Sequence, residues 1–237
     1  MTSPSKIFAF DLYGTLLDTA SISTALAKCL EVDSQDATLS HKITADWRRY
    51  QLEYTWRLNS MNYYQPFSTV THISLTHALT QHLPTYKPSA TTITSLLATY
   101  NALTPFPEVE KTLSTLTQDP AFSWVIFSNG CHAMLSATIA NSRVLRGARC
   151  VSVDDVRRFK PDPETYRYLL EQLGREGDPA SVVLVSGNPF DIVGAGKVGL
   201  ETVWVSGGAD WCDGLGRPRR VVVGLEEIVD GVRSWWD

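Results

Sequence analysis

The sequence predicts an α/β fold: a Rossmann-like parallel sheet core with helices on both faces and an inserted helical cap. Two observations carry this. Short apolar runs rich in β-branched and aromatic residues recur at residues 7–10, 124–127, 182–185, 202–205 and 221–223, with helix-like stretches between most of them. Strands covered on both faces by crossover helices read as continuous apolar runs of this kind. Residues 11–123, by contrast, hold no convincing strand, and a stretch that long is too much for one crossover and implies an inserted unit.

Taken in order, the first run is followed by a helical segment placed at residues 19–98, the expected cap. The core is then residues 1–18 and 99–237. Within the cap, Trp47, Tyr50, Tyr54 and Leu58 fall at i, i+3, i+7 and i+11, one face of an amphipathic helix. This aromatic stripe reads as core. Arg48 and Leu52, at i and i+4 on its flank, are placed to face a cleft. A weaker run at residues 150–153 is a candidate for one further strand.

The chain has 237 residues, 43% hydrophobic and 19% charged, which suits one globular domain or a core carrying an insertion. A net charge of -4 gives no broad basic field, so nucleic acid is not an expected partner. The arginines within 143–158 and 217–220 read as solvated surface. The polar start and only four apolar residues at 7–10 fall short of a signal-peptide core or a membrane span, and a cytoplasmic protein is expected. Cys29, Cys131, Cys150 and Cys212 form no C-x-x-C pair, so neither zinc nor disulfides are expected and buried free thiols are.

Ligands of open α/β sheets bind beyond the carboxyl ends of the strands. The first strand ends in Asp11-Leu12-Tyr13-Gly14-Thr15, the second in Ser128-Asn129-Gly130, and a later one in Ser186-Gly187-Asn188-Pro189-Phe190-Asp191, with Phe159-Lys160-Pro161 between the last two. A lone strand-end aspartate is equally a cap or turn former. A carboxylate, a hydroxyl, a lysine and a second carboxylate, all beyond strands or in loops, make a polar constellation that folding alone does not require.

These segments resemble the haloacid dehalogenase superfamily, in the order D-x-x-x-T, strand-end serine, lysine and acidic fourth motif. Phosphatases of that superfamily carry an acid two residues after the nucleophile to protonate an alkoxide leaving group; here Tyr13 stands there. They also hold magnesium on fourth-motif carboxylates, where this chain has Asn188, and magnesium sites depend on one or two carboxylates. The D-L-Y-G-T, F-S-N-G and S-G-N-x-x-D segments, with the cap sequence around Trp47-Arg48, are similar to the L-2-haloacid dehalogenase branch. Arg49, Gly187 and Phe190 depart from its bacterial pattern, where glutamine, serine and tryptophan are usual.

The resemblance implies a hydrolase that converts small (S)-2-haloacids to (R)-2-hydroxy acids plus halide through an ester on Asp11, with no metal and no cofactor. The ligands implied are a small halogenated carboxylic acid and a halide ion, and relatives are often homodimers. Lys160 supplies compensating charge. Ser128 and N–H groups near Leu12, Tyr13 and Asn129 hold the substrate carboxylate, and Thr15 and Ser186 orient Asp11 and Lys160. Arg48 and Asn188 take the halide, with Tyr13, Leu52, Phe67 and Phe190 as apolar wall. Asp191 either activates water or fixes Lys160, and Tyr166 either supports the site or packs in the core. The rival readings are a superfamily phosphatase acting on a small phosphorylated metabolite and a non-catalytic relative that binds a carboxylate or a protein.

Overall fold

A computed structural model describes residues 6–30, 37–231 and 235. The polar residues 1–5 and most of the tail at 234–237 lie outside the described residues; Trp235 packs against the core. Six strands form one all-parallel sheet: β1 (Lys6–Phe10), β2 (Phe122–Ser128), β3 (Cys150–Ser152), β4 (Val182–Ser186), β5 (Glu201–Val205) and β6 (Arg220–Val222). Their order is β3-β2-β1-β4-β5-β6. β1 is therefore central, flanked by β2 on one side (Phe10 beside Ile126) and β4 on the other (Phe10 beside Val185). The strand order reverses between β1 and β4, and such a switch point opens a crevice at the carboxyl ends. Asp11 is the first residue beyond β1.

The expected runs are all strands, including the weak one at 150–153. β6 differs: it starts at Arg220 and buries Val222, while Val221 and Val223 are exposed. It is an edge strand, paired only with β5, so one side of the run has nothing to cover it.

Among the described residues, four α-helices separate β1 from β2 before the crossover helix α5 (Val109–Gln118): α1 (Ile22–Cys29), α2 (Ala37–Ser60), α3 (Phe67–His82) and α4 (Ala90–Tyr100). α4 crosses the expected boundary at residue 98. In α2, Trp47, Tyr50 and Leu58 are buried and Tyr54 is partly buried against the core, as their spacing predicts. Polar groups seal the same packing. Trp47 Nε1 donates to the Thr71 carbonyl (2.9 Å), Gln51 Nε2 to Thr71 Oγ1 (3.0 Å), and the Tyr100 hydroxyl to Gln51 Oε1 (3.0 Å). No helix of the described residues is long and apolar enough to cross a membrane. The cysteines depart from expectation: Cys131 is buried, Cys29 and Cys150 are half-buried, and Cys212 is exposed. Cys212 lies in the long loop between β5 and β6, outside any packed face.

The later helices are α6 (His132–Asn141), α7 (Pro163–Leu173), α8 (Pro189–Val198) and α9 (Glu226–Gly231). α7 begins with Asp162 accepting the Glu164 N–H and Pro163 at its first turn, and it ends at Gly174 in the left-handed region (φ 63°). α8 lies tight against the segment that carries Lys160. A Cβ built on Gly194 would sit 2.6 Å from Tyr166 Oη and 2.7 Å from Pro161 Cβ, whereas one on Gly196 meets nothing within 4 Å. Gly194→Ala is accordingly expected to destabilise the fold by about 1–3 kcal/mol through overpacking. Gly196→Ala in the same helix should be neutral or stabilising by up to about 1 kcal/mol. Urea unfolding of the two variants checks this, and equal effects would contradict the packing argument.

Candidate active site

The carboxyl ends of β1, β2 and β4 bring most of the expected residues together. Lys160 is fully buried, and its Nζ donates to Asp11 Oδ1 (2.9 Å), Asp191 Oδ2 (2.7 Å) and the Phe127 carbonyl (2.9 Å). All three of its protons are thereby placed. The other Asp11 oxygen, Oδ2, accepts from Thr15 Oγ1 (3.0 Å) and Asn188 Nδ2 (2.7 Å). Thr15 in turn accepts the Gly187 N–H (2.9 Å), which ties the end of β1 to the end of β4. That approach is close: a Cβ on Gly187 would meet the Gly14 carbonyl at 2.5 Å, so a side chain there would force the two segments apart.

Arg48 reaches in from α2. Its Nη2 donates to the Tyr13 carbonyl (3.0 Å) and to Asn188 Oδ1 (3.3 Å), and Asn188 Nδ2 also donates to the Tyr13 carbonyl (3.2 Å). The expected wall residues divide. Tyr13 is buried, with Phe67 at 5.7 Å and Tyr100 at 5.4 Å between ring centroids, and Phe67 also contacts Phe159. Leu52 is half-buried one turn beyond Arg48. Phe190 is half-buried and meets the edge of Trp56, a residue the sequence did not single out.

Ser128 is fully buried and accepts the Gly130 N–H (3.0 Å), so its own O–H proton points elsewhere. Asn129 Oδ1 accepts the Lys160 N–H (3.0 Å), leaving its side-chain N–H donors and backbone N–H for other partners. Ser186 does not orient Asp11 or Lys160 directly. Its hydroxyl accepts the Asn188 N–H (3.1 Å), because a serine at a strand end closes locally onto the amide two residues on. It thereby fixes the turn that presents Asn188. Tyr166 donates to Asp191 Oδ1 (2.8 Å) while its ring packs on Phe127.

Burial penalises the Lys160 ammonium, but Asp11 and Asp191 outweigh that and hold its pKa above the ordinary lysine value. Burial and the Asp11 charge push the Asp191 carboxyl up, against the pull of Lys160. Burial also drives the Tyr13 phenol well above its usual range, so it stays protonated and uncharged. Burial raises Tyr100 as well, opposed by Arg48 beside it.

A magnesium site does not fit this donor set. Asp11 and Asp191 converge on an ammonium, and Asp11 Oδ2 and the Tyr13 carbonyl face an amide N–H and a guanidinium. A hard divalent cation needs oxygen lone pairs turned toward it and repels such cations. Among the described residues no three His, Cys, Asp or Glu side chains cluster as metal ligands.

The sequence matches the haloacid dehalogenase-like hydrolase family over residues 5–199. The chain belongs to this family. It is 35% identical over 208 residues to (S)-2-haloacid dehalogenase 4A of Burkholderia cepacia, covering 87% of this chain and 85% of that protein. It is also 35% identical over 203 residues to the (S)-2-haloacid dehalogenase of Xanthobacter autotrophicus, covering 85% and 75%. Among solved structures, the L-2-haloacid dehalogenase from Xanthobacter autotrophicus with chloropropionic acid covalently bound has a TM-score of 0.85 at 29% identity, covering 96% of this chain and 98% of that one.

In this hydrolase the buried cation between two carboxylates makes a stability prediction with a defined sign. Lys160→Met leaves both acids without their ammonium and should cost about 3–5 kcal/mol near neutral pH. Asp191, already raised above 3.8, then rises further, so the folded variant binds more protons than the unfolded chain above that pH. Its stability must increase as pH falls. Urea unfolding at pH 7.5 and 5 should show a smaller deficit at pH 5; a deficit independent of pH would argue against two uncompensated carboxylates.

Proposed function

We propose that the chain is a metal-independent 2-haloacid dehalogenase that converts small (S)-2-haloacids to (R)-2-hydroxy acids and halide, with Asp11 as the nucleophile. One observation carries the reading: both Asp11 oxygens are held, by Lys160 on one side and by Thr15 and Asn188 on the other, and two residues on stands the buried phenol of Tyr13. A phenol that stays protonated and packed among aromatic rings is no acid–base group for an alkoxide. A halide leaves without a proton, so none is needed.

An Asp11 oxygen attacks the halogen-bearing carbon opposite the halogen; the new C–O bond forms as the carbon–halogen bond breaks, and the bonding pair leaves on the halide. Configuration at carbon inverts. Substrate and nucleophile are both anions, so their approach needs compensating charge in a site shielded from water. Lys160 supplies it, while Ser128 and N–H groups near Leu12, Tyr13 and Asn129 bind the substrate carboxylate. The weakly hydrated guanidinium of Arg48, with Asn188, receives the departing halide. Leu52, Phe67 and Phe190, with the Tyr13 ring, supply apolar wall.

Water then adds to the Asp11 carbonyl carbon, giving up a proton to Asp191; as the tetrahedral species collapses, the C–O bond to the substrate breaks, the departing hydroxyl oxygen takes that proton back from Asp191, and the Asp11 carboxylate is regenerated. Asp191 suits this step because burial and the Asp11 charge raise its carboxyl above the ordinary aspartate value, which makes it the stronger base. Tyr166, Thr15 and Ser186 hold Asp191, Asp11 and the Asn188 turn. The same proposal places the enzyme in the cytoplasm and as a homodimer.

Halide release from one enantiomer of 2-chloropropionate, undiminished in EDTA and abolished in Asp11→Asn, is the expected result. In a single turnover in ¹⁸O-water the label should enter Asp11 and not the hydroxy acid. Magnesium-dependent hydrolysis of p-nitrophenyl phosphate without halide release would favour the phosphatase reading instead. Arg48→Lys keeps the charge but not the planar fork, and kcat should fall by roughly a hundredfold, the loss typical of one preorganised donor. Steady-state halide release checks it; a wild-type rate would remove Arg48 from the mechanism.

A further inference from the structure

Arg48 and Asn59 stand eleven residues apart on α2, about three helical turns and roughly 16 Å along the axis, so they project from the same face. Arg48 meets Tyr13 and Asn188 at one end of the site. At the other end, Asn59 grips the backbone of Phe159: its Nδ2 donates to the Phe159 carbonyl (2.6 Å) and its Oδ1 accepts the Phe159 N–H (3.0 Å). Phe159 is fully buried and immediately precedes Lys160. The next amide, the Lys160 N–H, is taken by Asn129 Oδ1 (3.0 Å).

Successive polar groups of the backbone leading into Lys160 are thus held by two asparagine side chains, one from α2 and one from the end of β2. The segment has no helix or strand of its own to fix it; it follows Arg157 in the left-handed region (φ 53°) and precedes α7. A planar amide is required at position 59 because the grip needs a donor and an acceptor on one rigid group. We propose that Asn59 is a positioning residue for Lys160, through which α2 sets the lysine in register with Arg48 three turns earlier on the same helix. This rests on the dehalogenase reading of Lys160.

Another bond joins the segment after α2 to the core: the Tyr64 hydroxyl donates to Asp154, while the Tyr64 ring stacks on Phe159 (5.2 Å between centroids), a contact that Tyr64→Phe keeps. Tyr64→Phe is therefore a control for loss of docking alone.

The test compares Asn59→Ala, the near-isosteric Asn59→Asp, and Tyr64→Phe with the wild type, using 2-chloropropionate. Each is measured for thermal midpoint, kcat, KM and the pH profile of kcat. Expected for both Asn59 variants is a kcat lowered roughly tenfold to a hundredfold, the range a small misplacement causes, with KM little changed. Their acid limb should move to higher pH, because a displaced ammonium holds Asp191 less well. Tyr64→Phe should keep the wild-type profile at a comparable or lower thermal midpoint. Asn59 variants with wild-type kcat and acid limb, or a kcat loss matched by Tyr64→Phe with no movement of the limb, would overturn the proposal. If Asn59→Ala does not fold, Asn59→Asp carries the same comparison. A wild type that releases no halide from either enantiomer would instead sink the underlying reading.

Discussion

A single buried ammonium organises this molecule. Lys160 lies between Asp11 and Asp191, with no appreciable solvent at any of the three groups. Ions taken out of water at this depth are tolerable only with near-complete pairing and hydrogen bonding. That constraint accounts for much of the surrounding backbone. β1 must end where Asp11 can reach the ammonium, α8 must begin where Asp191 can, and the Phe127 carbonyl at the end of β2 must accept the remaining proton. The parallel sheet meets all of these at once because its carboxyl ends lie on one side. Gly194 and Gly187 are the packing consequences, since the elements that carry the charges approach too closely for a side chain.

Two carboxylates and one lysine leave a net negative charge, and a second anion, the substrate, has to enter the same space. The opposing positive charge comes from outside the sheet, on α2. The inserted helices are thus part of the electrostatics of the site. Arg48 is half-buried and anchored on the Tyr13 carbonyl and Asn188, while its neighbours Trp47 and Gln51 are locked to Thr71 of α3 and, through Gln51, to Tyr100 of α4. A long flexible side chain becomes a fixed donor only when the helix beneath it is immobilised in this way.

The fold was legible in the sequence because buried parallel strands write themselves as apolar runs, and the strand-end carboxylates, lysine and hydroxyls stand directly after them. The stripe Trp47, Tyr50, Tyr54 and Leu58 was equally local. What was illegible depends on partners distant along the chain. Asn59 bonds a residue one hundred positions away, and an asparagine near a helix end reads as nothing more than a stop signal. Gln51 and Tyr100 lie 49 residues apart, and neither type is unusual where it occurs. Ser186 was assigned a target across the site, yet its hydroxyl closes on the local Asn188 amide, a competition that a strand-end serine usually resolves in favour of its own turn. The arginine on the flank was visible only because i and i+4 periodicity offset it from the apolar stripe.

Two departures from a magnesium phosphatase belong together physically. Replacing an acid with Tyr13 removes a proton donor, and replacing another with Asn188 removes a ligand charge; separately each would merely impair a phosphatase. In this chain the Asn188 amide turns its N–H toward Asp11 Oδ2 and the Tyr13 carbonyl, and its carbonyl toward Arg48. The oxygen atoms that would face a divalent cation are thereby satisfied by N–H donors. An arginine occupies the same region, where it would repel a metal. The charge a metal would contribute is redistributed onto Lys160 and Arg48, cations tethered by the chain on opposite sides of Asp11. A leaving group that needs neither a proton nor a hard Lewis acid, but does need a weakly hydrated cation to receive it, matches that distribution.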